Sequence, residues 1–488
     1  MERSIRQLLC DPAMRNLIFI IALTGCFVQA SGQTTDTLYN LQQCIDIAIK
    51  NNLTVKKSEL EMERSRIYWQ QQRANLLPTF NGSVNHGIST GRSIDPFTNT
   101  YLNQQITSAD YNVNANLILF NGMAIQNSIR RTSLAYQAGQ MDLEQAKNDI
   151  TLNVITTYLQ VINNTDLLKQ ANSQLLVSQQ QLKRLEVMNT NGAVQPSDYY
   201  DVKGQLGTDR LNTINARNSV DASKLNLLLL MNVPYTKAFN VQRLDATQLP
   251  SAEFKQTAEE VYSNALDRLP LVKASTLRRQ SAEKQVKAVK GTLFPTLSLY
   301  SGIATRYSSA ARRSTFIDSM EVNTGSFIKS PSGKQSVYEY QQIYRSEKIG
   351  YYDQFKNNYN TQVGIGLQIP ILNAFQNRNR VALAKIDLSE ARYTEAATRV
   401  QLKQNVEQAF VNMRSAFERY QVLTEQVDAF KESFRTAEIR FNAGVLNSVD
   451  FIVAKNNLNR ANINLINARY DYYIRTKILD YYQGRLSF

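Results

Sequence analysis

Three aspartates that follow two glycine turns are the residues of this sequence best placed to do chemistry. Asp198 and Asp450 each lie six residues beyond a glycine, Gly192 and Gly444, and Asp201 lies about one helical turn after the first of them. Acidic side chains in the first turn of a helix cap it and favour its dipole. If symmetry crowded several copies together, the carboxylates would instead repel one another and attract cations. The sequence leaves both interpretations open.

Catalysis finds little support elsewhere in the chain. The single histidine, His86, lies in a predicted strand, which excludes metal sites built on two histidines. The segment that runs from Ser330 to Gln335 lacks the first glycine and the following helix of a phosphate-binding loop. We therefore predict no enzymatic activity, no cofactor and no metal site.

The elements that must position these residues occur twice. Residues separated by 252 positions match without a gap, and upstream the offset is 217, so that 35 extra residues fall between Pro295 and Leu372. Length variation confined to one segment predicts a loop there. The matched pairs include Asn121 and Asn373, Val154 and Val406, Gly192 and Gly444, Ala48 and Ala265, and Pro78 and Pro295. The first repeat spans residues 38–232, the second spans residues 257–484, and residues 233–256 link them.

Alternating apolar and polar residues predict two strands in each repeat. They lie at about residues 78–88 and 111–120 in the first repeat, and at about 296–305 and 359–371 in the second. Each run is about ten residues, the length of a tilted strand that crosses a membrane. A soluble hairpin with one wet face is the alternative. Asparagine and glycine fill the polar face where a soluble surface would favour lysine and glutamate, which favours a polar lumen.

Long helices occupy the rest of each repeat. Between Asn121 and Thr190 no proline interrupts the chain, and a seven-residue apolar spacing indicates supercoiled helix packing. A second helix is predicted over residues 197–231, and a shorter one over residues 54–77. We expect one long helix beside two short ones stacked end to end, with small capped helices at Asn40 and Thr257 and the linker forming a belt around the joint. The spacing runs through Val154, Val161, Leu168, Leu175 and Leu182, and through Val406, Met413, Tyr420, Val427 and Phe434.

The strand count predicts an oligomer. Four strands cannot close a barrel, and an open sheet edge cannot lie in lipid because its backbone groups would lack hydrogen-bond partners. Three copies would supply twelve strands. The strand count therefore predicts an oligomer with a β-barrel part and a helical part, and in a homotrimer each chain would be one-third of the tube.

The N-terminal residues indicate export. Residues 1–30 resemble a signal peptide with cleavage near residues 25–32, although Met14 is an alternative start. Cleavage after Ala30 is one reading, and a lipobox that would place a lipid on Cys26 is the other. Cys44 would then be the only cysteine of the mature fold, without a disulfide partner. The net charge is +14, but the basic residues are distributed along the helices and mixed with acidic ones. We therefore predict no nucleic-acid partner.

Several motifs, in this order and spacing, resemble the TolC-like outer-membrane efflux proteins. They are the Leu41–Asn52 segment, the Leu-Pro and Phe-Pro pairs at Pro78 and Pro295, Leu119-Phe120-Asn121-Gly122, Arg440-Phe-Asn-Ala-Gly444 and Asn467-Ala-Arg-Tyr470. The resemblance covers about residues 38–484. It implies a trimeric duct of the Gram-negative outer membrane: a twelve-stranded β-barrel in lipid, continued by an α-helical barrel in the periplasm. It also implies a periplasmic adaptor and an inner-membrane pump, with no chemistry in the duct itself.

The resemblance also implies roles for the two helical turns. They would dock the adaptor, and the aspartates at positions 198, 201 and 450 would form an acidic ring at the periplasmic entrance. Val453 stands where a further acid is expected in the second repeat. A structural periplasmic coiled coil without transport remains an alternative, as does a type I duct for secreted polypeptides. The docking residues would be Gly192, Ala193, Val194, Arg440, Gly444, Val445 and Leu446.

Overall fold

The computed structural model describes most of the chain. The described residues are 38–94, 99–103, 105–192, 194–235, 239–243 and 254–485. The predicted signal peptide, the two cleavage readings, the lipidation of Cys26 and the docking residue Ala193 lie outside these residues. Cys44 is a buried free cysteine.

The helices come in pairs of equal length, as a duplication requires. Their number of residues is the same in both repeats: 11, 22, 67 and 35. In the first repeat they are α1 (Leu41–Asn51), α2 (Leu53–Ala74), α3 (Ala124–Thr190) and α4 (Pro196–Leu230). In the second they are α5 (Ala258–Arg268), α6 (Pro270–Gly291), α8 (Gln376–Asn442) and α9 (Ser448–Tyr482), and the short α7 (Tyr351–Asn357) has no counterpart among the described residues of the first repeat.

Within the described ranges, the strands form one four-stranded sheet and three two-stranded sheets. The four-stranded sheet contains β2 (Thr79–Ser89), β5 (Ile106–Phe120), β7 (Thr296–Ser308) and β10 (Asn360–Gln368), in the order β10-β7-β5-β2. All its neighbours are antiparallel. The two-stranded sheets pair β1 (Leu38–Tyr39) with β6 (Asn240–Val241), β3 (Arg92–Ile94) with β4 (Tyr101–Asn103), and β8 (Arg312–Ser330) with β9 (Gly333–Lys348).

The chain divides into two compact units. The first comprises the described residues of Met1–Glu61, Gln140–Lys273 and Ala397–Phe488, and it contains most of the helical residues. The second comprises Met62–Gly139 and Ala274–Ala396, and it contains the four-stranded sheet. None of the described helices has the length and apolarity needed to cross a membrane.

Each repeat contributes its own core to the first unit. In one cluster Ala48, Val154 and Leu227 are fully buried, and their equivalents Ala265, Val406 and Leu479 are fully buried in the other. Of the ten predicted heptad positions, Val154, Val161, Val406 and Met413 are buried, and the other six are half-buried. The predicted capping boxes are also present: the side chains of Asn40 and Thr257 each accept a hydrogen bond from the backbone N–H three residues on.

Buried tyrosines of the first unit predict a loss of stability in alkaline solution. The Tyr158 hydroxyl donates to the carbonyl oxygens of Tyr39 and Gln242, and burial raises its pKa above the ordinary value. Burial likewise raises the pKa of Tyr470 and Tyr481. Because the folded state keeps protons that the unfolded chain loses above pH about 10, this stabilisation is full below pH 10 and declines above it. Melting temperatures measured between pH 8 and 11 should fall, and Tyr158→Phe should make the decline shallower. An unchanged decline in Tyr158→Phe would contradict the assignment to this residue.

The 35 additional residues of the second repeat are not the loop that the sequence predicted. They contain most of a long antiparallel hairpin, β8–β9, followed by the helix α7. The apolar residues of this hairpin do not alternate regularly along β8, because two register shifts interrupt it between Phe316 and Asp318 and between Asn323 and Phe327. Such irregularities hide the period of two that identifies a strand.

The four-stranded sheet has one apolar and one polar face. On the polar face Asn114 pairs with Gly302, and Gly364 pairs with Tyr300. A Cβ atom on Gly364 would lie 2.5 Å from Cζ of Tyr300, so the tyrosine ring covers the glycine. This contact explains why a bulky residue interrupts the polar face in β7. The apolar face carries Phe80, Val84, Ile88, Val113, Leu117, Leu299, Ile303, Val363, Ile365 and Leu367.

Candidate functional site

Two tight turns connect the long helices of the first unit. The first joins α3 to α4 through Gly192, and the second joins α8 to α9 through Gly444. Both glycines have a positive φ, +68° and +74°. In the second turn the N–H of Val445 donates to the carbonyl oxygen of Arg440 over 2.9 Å, the bond of a Schellman motif. Backbone geometry therefore requires glycine at both positions.

Substitution of these glycines should test that requirement. No atom lies within 4 Å of a Cβ placed on Gly192, Gly444 or the helical Gly204, so any cost at the turns is conformational. We expect Gly192→Ala and Gly444→Ala each to destabilise the fold by about 1 kcal/mol. Gly204→Ala, inside α4, should instead stabilise it by about 0.5–1 kcal/mol. Urea unfolding of the three variants checks the signs, and equal effects would contradict the argument.

The first turn of α9 is capped by an asparagine. The backbone N–H of Asp450 donates to Oδ1 of Asn447 over 2.8 Å, and Nδ2 of Asn447 donates to the Asp450 carboxylate over 3.1 Å. The interpretation of Asp450 as the cap residue is therefore wrong, because Asn447 occupies the N-cap position. In α4 the N-cap is Gln195, which makes no side-chain cap bond. The Asp450 side chain is exposed.

Asp198 and Asp201 bind the start of the other repeat's helix. The carboxylate of Asp198 accepts from the backbone N–H of Ser448 over 3.2 Å, and that of Asp201 accepts from the Ser448 hydroxyl over 2.9 Å. Ser448 is the first residue of α9 and is buried. The carboxylates of Asp198 and Asp201 therefore bind the N-terminus of α9, and the interpretation of Asp198 as the cap of its own helix is wrong, because Gln195 occupies that N-cap position. Two negative charges at a helix N-terminus also favour its dipole.

A third contact joins the ends of the long helices. The Arg184 guanidinium of α3 donates to the side-chain oxygen and, over 2.5 Å, to the backbone oxygen of Asn442, the last residue of α8. Arg440 is exposed at this end. Val445 is 68% exposed, whereas Val194 and Leu446 are half-buried. The structure thus brings the two turns together and leaves an apolar side chain at the second.

Sequence reasoning missed a buried ion pair below the turns. Lys455 of α9, Asp209 of α4 and Ser178 of α3 are only 2%, 3% and 2% exposed. The ammonium donates to the Asp209 carboxylate and, over 2.6 Å, to the Ser178 hydroxyl, which itself donates to Asp209 over 2.6 Å. Gln205 donates to the other carboxylate oxygen over 3.0 Å.

The ion pair satisfies groups that burial would otherwise penalise. Burial lowers the pKa of the Lys455 ammonium, while the bond to Asp209 opposes that shift. The sequence does contain an indication of this ion pair. Asp209 interrupts the buried stripe of Val202, Leu206 and Thr213, and Lys455 lies one turn after the buried Phe451. A charge on a buried stripe needs a partner.

The described residues hold no cluster of histidine, cysteine or acidic side chains that could bind a metal ion. What the described chain presents is two helical hairpins joined at their turns in one unit. The other unit carries a sheet with one polar and one apolar face. This arrangement agrees with the helical part and the sheet part that the sequence predicts for a membrane channel.

The chain belongs to the family described as Outer membrane efflux protein, whose model matches residues 44–233 and 261–484. It is an outer-membrane efflux channel of a Gram-negative bacterium that extends into the periplasm. It is 22% identical to the outer membrane protein TolC of Escherichia coli K12 over 440 residues, 89% of this chain and 80% of that protein.

Solved channels share its fold. VceC of Vibrio cholerae superposes with a TM-score of 0.71 at 13% identity, covering 91% of this chain and 96% of that one. The CmeC channel of Campylobacter jejuni gives a TM-score of 0.70 at 16% identity, with 92% and 87% coverage. CusC gives 0.73 at 15% identity, with 94% and 95% coverage.

Proposed function

We propose that three copies of this chain form the outer-membrane duct of a tripartite export system. Their sheets would close a twelve-stranded barrel, and their helices would continue the duct into the periplasm. A periplasmic adaptor would dock at the helical turns, and an inner-membrane pump would supply both energy and cargo. The duct itself would be passive. The observation that carries the proposal is a four-stranded sheet with two unpaired edges and an exposed apolar face.

The sheet edges require further copies of the chain. In the order β10-β7-β5-β2, both β10 and β2 have one neighbour only. In lipid, each unpaired backbone group costs several kcal/mol, so the edges must pair. β10 of one copy next to β2 of the next closes the sheet without an edge.

The apolar face suits lipid and argues against a purely structural periplasmic protein. Val363, Ile365 and Leu367 of β10 are 75%, 67% and 61% exposed. Phe80 and Val84 of β2 are 71% and 67% exposed. A water-soluble protein would leave this apolar surface uncovered, whereas a bilayer would cover it.

The turns suit a docking surface for the adaptor. Val445 offers an exposed apolar side chain beside the exposed Arg440, and bonds between the repeats hold both turns in one place. A rigid, partly apolar end is what another helical hairpin can pack against. The pump would select the cargo, so whether small molecules or polypeptides are exported would be decided by that partner and not by the duct.

The acidic entrance can be tested by single-channel recording in planar bilayers. Threefold symmetry would repeat Asp450, which is exposed, and Asp201, whose Oδ2 binds Ser448. Crowded carboxylates attract cations, so the wild-type channel should be cation-selective. We expect Asp450→Asn to reduce that selectivity with little change in stability. Asp198→Asn should destabilise the turn by about 1 kcal/mol, because it weakens the bond to α9.

The recordings also test the proposed function itself. Channels with the conductance of a water-filled pore support the duct. A reconstituted protein of normal helix content that forms no channels, even after substitution of the three aspartates, would contradict it. If the channels open but Asp450→Asn leaves their cation selectivity unchanged, only the proposal of an acidic entrance is refuted.

A further inference from the structure

The β8–β9 hairpin, here called the ribbon (Arg312–Ser330 and Gly333–Lys348), has no role in the function proposed above. It forms a two-stranded sheet of its own and, among the described elements, packs substantially only against itself. An isolated two-stranded hairpin is marginally stable in water. The ribbon therefore needs a partner.

The two faces of the ribbon differ in chemistry. β9 alternates regularly, since both irregularities lie in β8, and directly paired residues share a face. The aromatic face carries Phe316, Phe327, Tyr338, Tyr340 and Tyr344. The aliphatic face carries Met320, Val322, Ile328, Val337 and Ile343.

Contacts within the ribbon support this assignment of faces. The rings of Phe316 and Tyr344 lie 5.9 Å apart, and the Lys334 ammonium lies 4.2 Å from the ring centre of Phe327. Apart from the half-buried Val322 and Val337, the large apolar side chains are nevertheless open to solvent on both faces. Their exposure ranges from 38% at Ile343 to 73% at Tyr340.

The charges of the two faces are complementary. The aromatic face holds four cations, Arg312, Lys329, Lys334 and Lys348, and one acid, Glu321. The aliphatic face holds three acids, Asp318, Glu339 and Glu347, and two cations, Arg313 and Arg345. Two aromatic faces would repel each other, whereas an aromatic face and an aliphatic face attract.

The base of the ribbon connects the interior strand β7 to the edge strand β10. The ribbon follows β7, its base is closed by the bond from the Ile349 N–H to the Ala311 carbonyl oxygen, and α7 then leads into the edge strand β10. In a closed barrel β10 would pair with the next copy. The ribbon of one copy would then lie next to the ribbon of the neighbouring copy.

We propose that each ribbon packs its aromatic face against the aliphatic face of the ribbon in the next copy, so that three ribbons form a ring. This inference rests on the proposed trimer. A ring of three identical chains joins two different surfaces of each chain, which is what two unlike faces supply. A membrane surface or a polysaccharide would cover one face only.

The area is large enough for such an interface. A ribbon of fifteen residue pairs is about 50 Å long and about 10 Å wide, so each face offers roughly 500 Å². Each contact between two ribbons would bury roughly 500 Å² per partner, or about 1,000 Å² in total, which is near the lower limit for a specific interface. Ring formation would therefore add appreciably to trimer stability.

The test compares the two faces in the intact protein in mild detergent. One variant carries Tyr338→Ser, Tyr340→Ser and Tyr344→Ser, and the other carries Met320→Ser, Ile328→Ser and Ile343→Ser. The temperature at which the trimer dissociates is measured by light scattering. We expect both variants to lower it by a similar amount, about 10 °C or more. A third variant, which joins β7 directly to α7 without the ribbon, should lower it at least as much and does not depend on how the substituted ribbons fold.

The other outcomes overturn the proposal. If the dissociation temperature falls in only one of the two face variants, that face is covered by a different partner, such as a lipid surface or a polysaccharide. If the dissociation temperature is unchanged in both face variants and in the deletion variant, the ribbons do not hold the trimer together. A wild-type protein that is monomeric in the same measurement refutes the trimer itself, so failure of the proposed function is distinguished from failure of the ring.

Discussion

Replacing Lys455 by methionine should destabilise the helical unit by about 3–5 kcal/mol, the largest effect that we expect from one substitution there. The change leaves the Asp209 carboxylate buried without its cation, and an unpaired buried charge is strongly unfavourable. Asp209→Leu should have a similar effect because it leaves the buried Lys455 ammonium without its carboxylate partner. Urea unfolding followed by circular dichroism measures both.

The duplication supplies a matched control. Lys203 occupies the position equivalent to Lys455 in the first repeat, but it is exposed, with its ammonium 5.6 Å from the ring centre of Tyr199. Lys203→Met should change the stability by no more than about 0.5–1 kcal/mol. The double variant Lys455→Met, Asp209→Leu should recover most of the loss, since no charge stays buried. Additive losses in the double variant would contradict the ion-pair account.

A charge on the apolar face of the sheet should be nearly as disruptive. Ile365 lies in the middle of β10 and is 67% exposed in the single chain. If this face meets lipid, Ile365→Arg should cost about 2–4 kcal/mol in membrane insertion. The yield of trimer extracted from the outer membrane, or refolded into vesicles, should fall accordingly.

The polar face of the same strand provides the comparison. Gln362 alternates with the apolar positions of β10 and lies close to Gly302 of β7. Gln362→Arg should be tolerated because it would point into a water-filled lumen. If both arginines were tolerated equally, the apolar face would not be lipid-facing.

Periodic features of the sequence predicted most of the fold. The seven-residue spacing identified the buried positions Val154 and Val406 of the long helices, although further along the same spacing the residues are only half-buried. The alternation from Tyr359 onwards identified β10, although the strand ends at Gln368 and not at residue 371. Regular elements repeat their pattern over many residues, so a single sequence is enough to show it.

Contacts between distant residues could not be predicted in this way. The bonds of Asp198 and Asp201 to Ser448 join residues about 250 positions apart, and no local pattern encodes them. The Lys455–Asp209 pair is equally remote. The interrupted alternation of β8 shows a third limit, because a bulge removes the period on which the prediction of a strand depends.

The most direct test of the account is the mass of the protein extracted from the outer membrane in a mild, non-denaturing detergent. The unpaired edges of β10 and β2 require several chains to close the sheet. Native mass spectrometry should give three chains per particle, and SDS should separate them. A particle of one chain that retains its full strand content by circular dichroism would contradict the account.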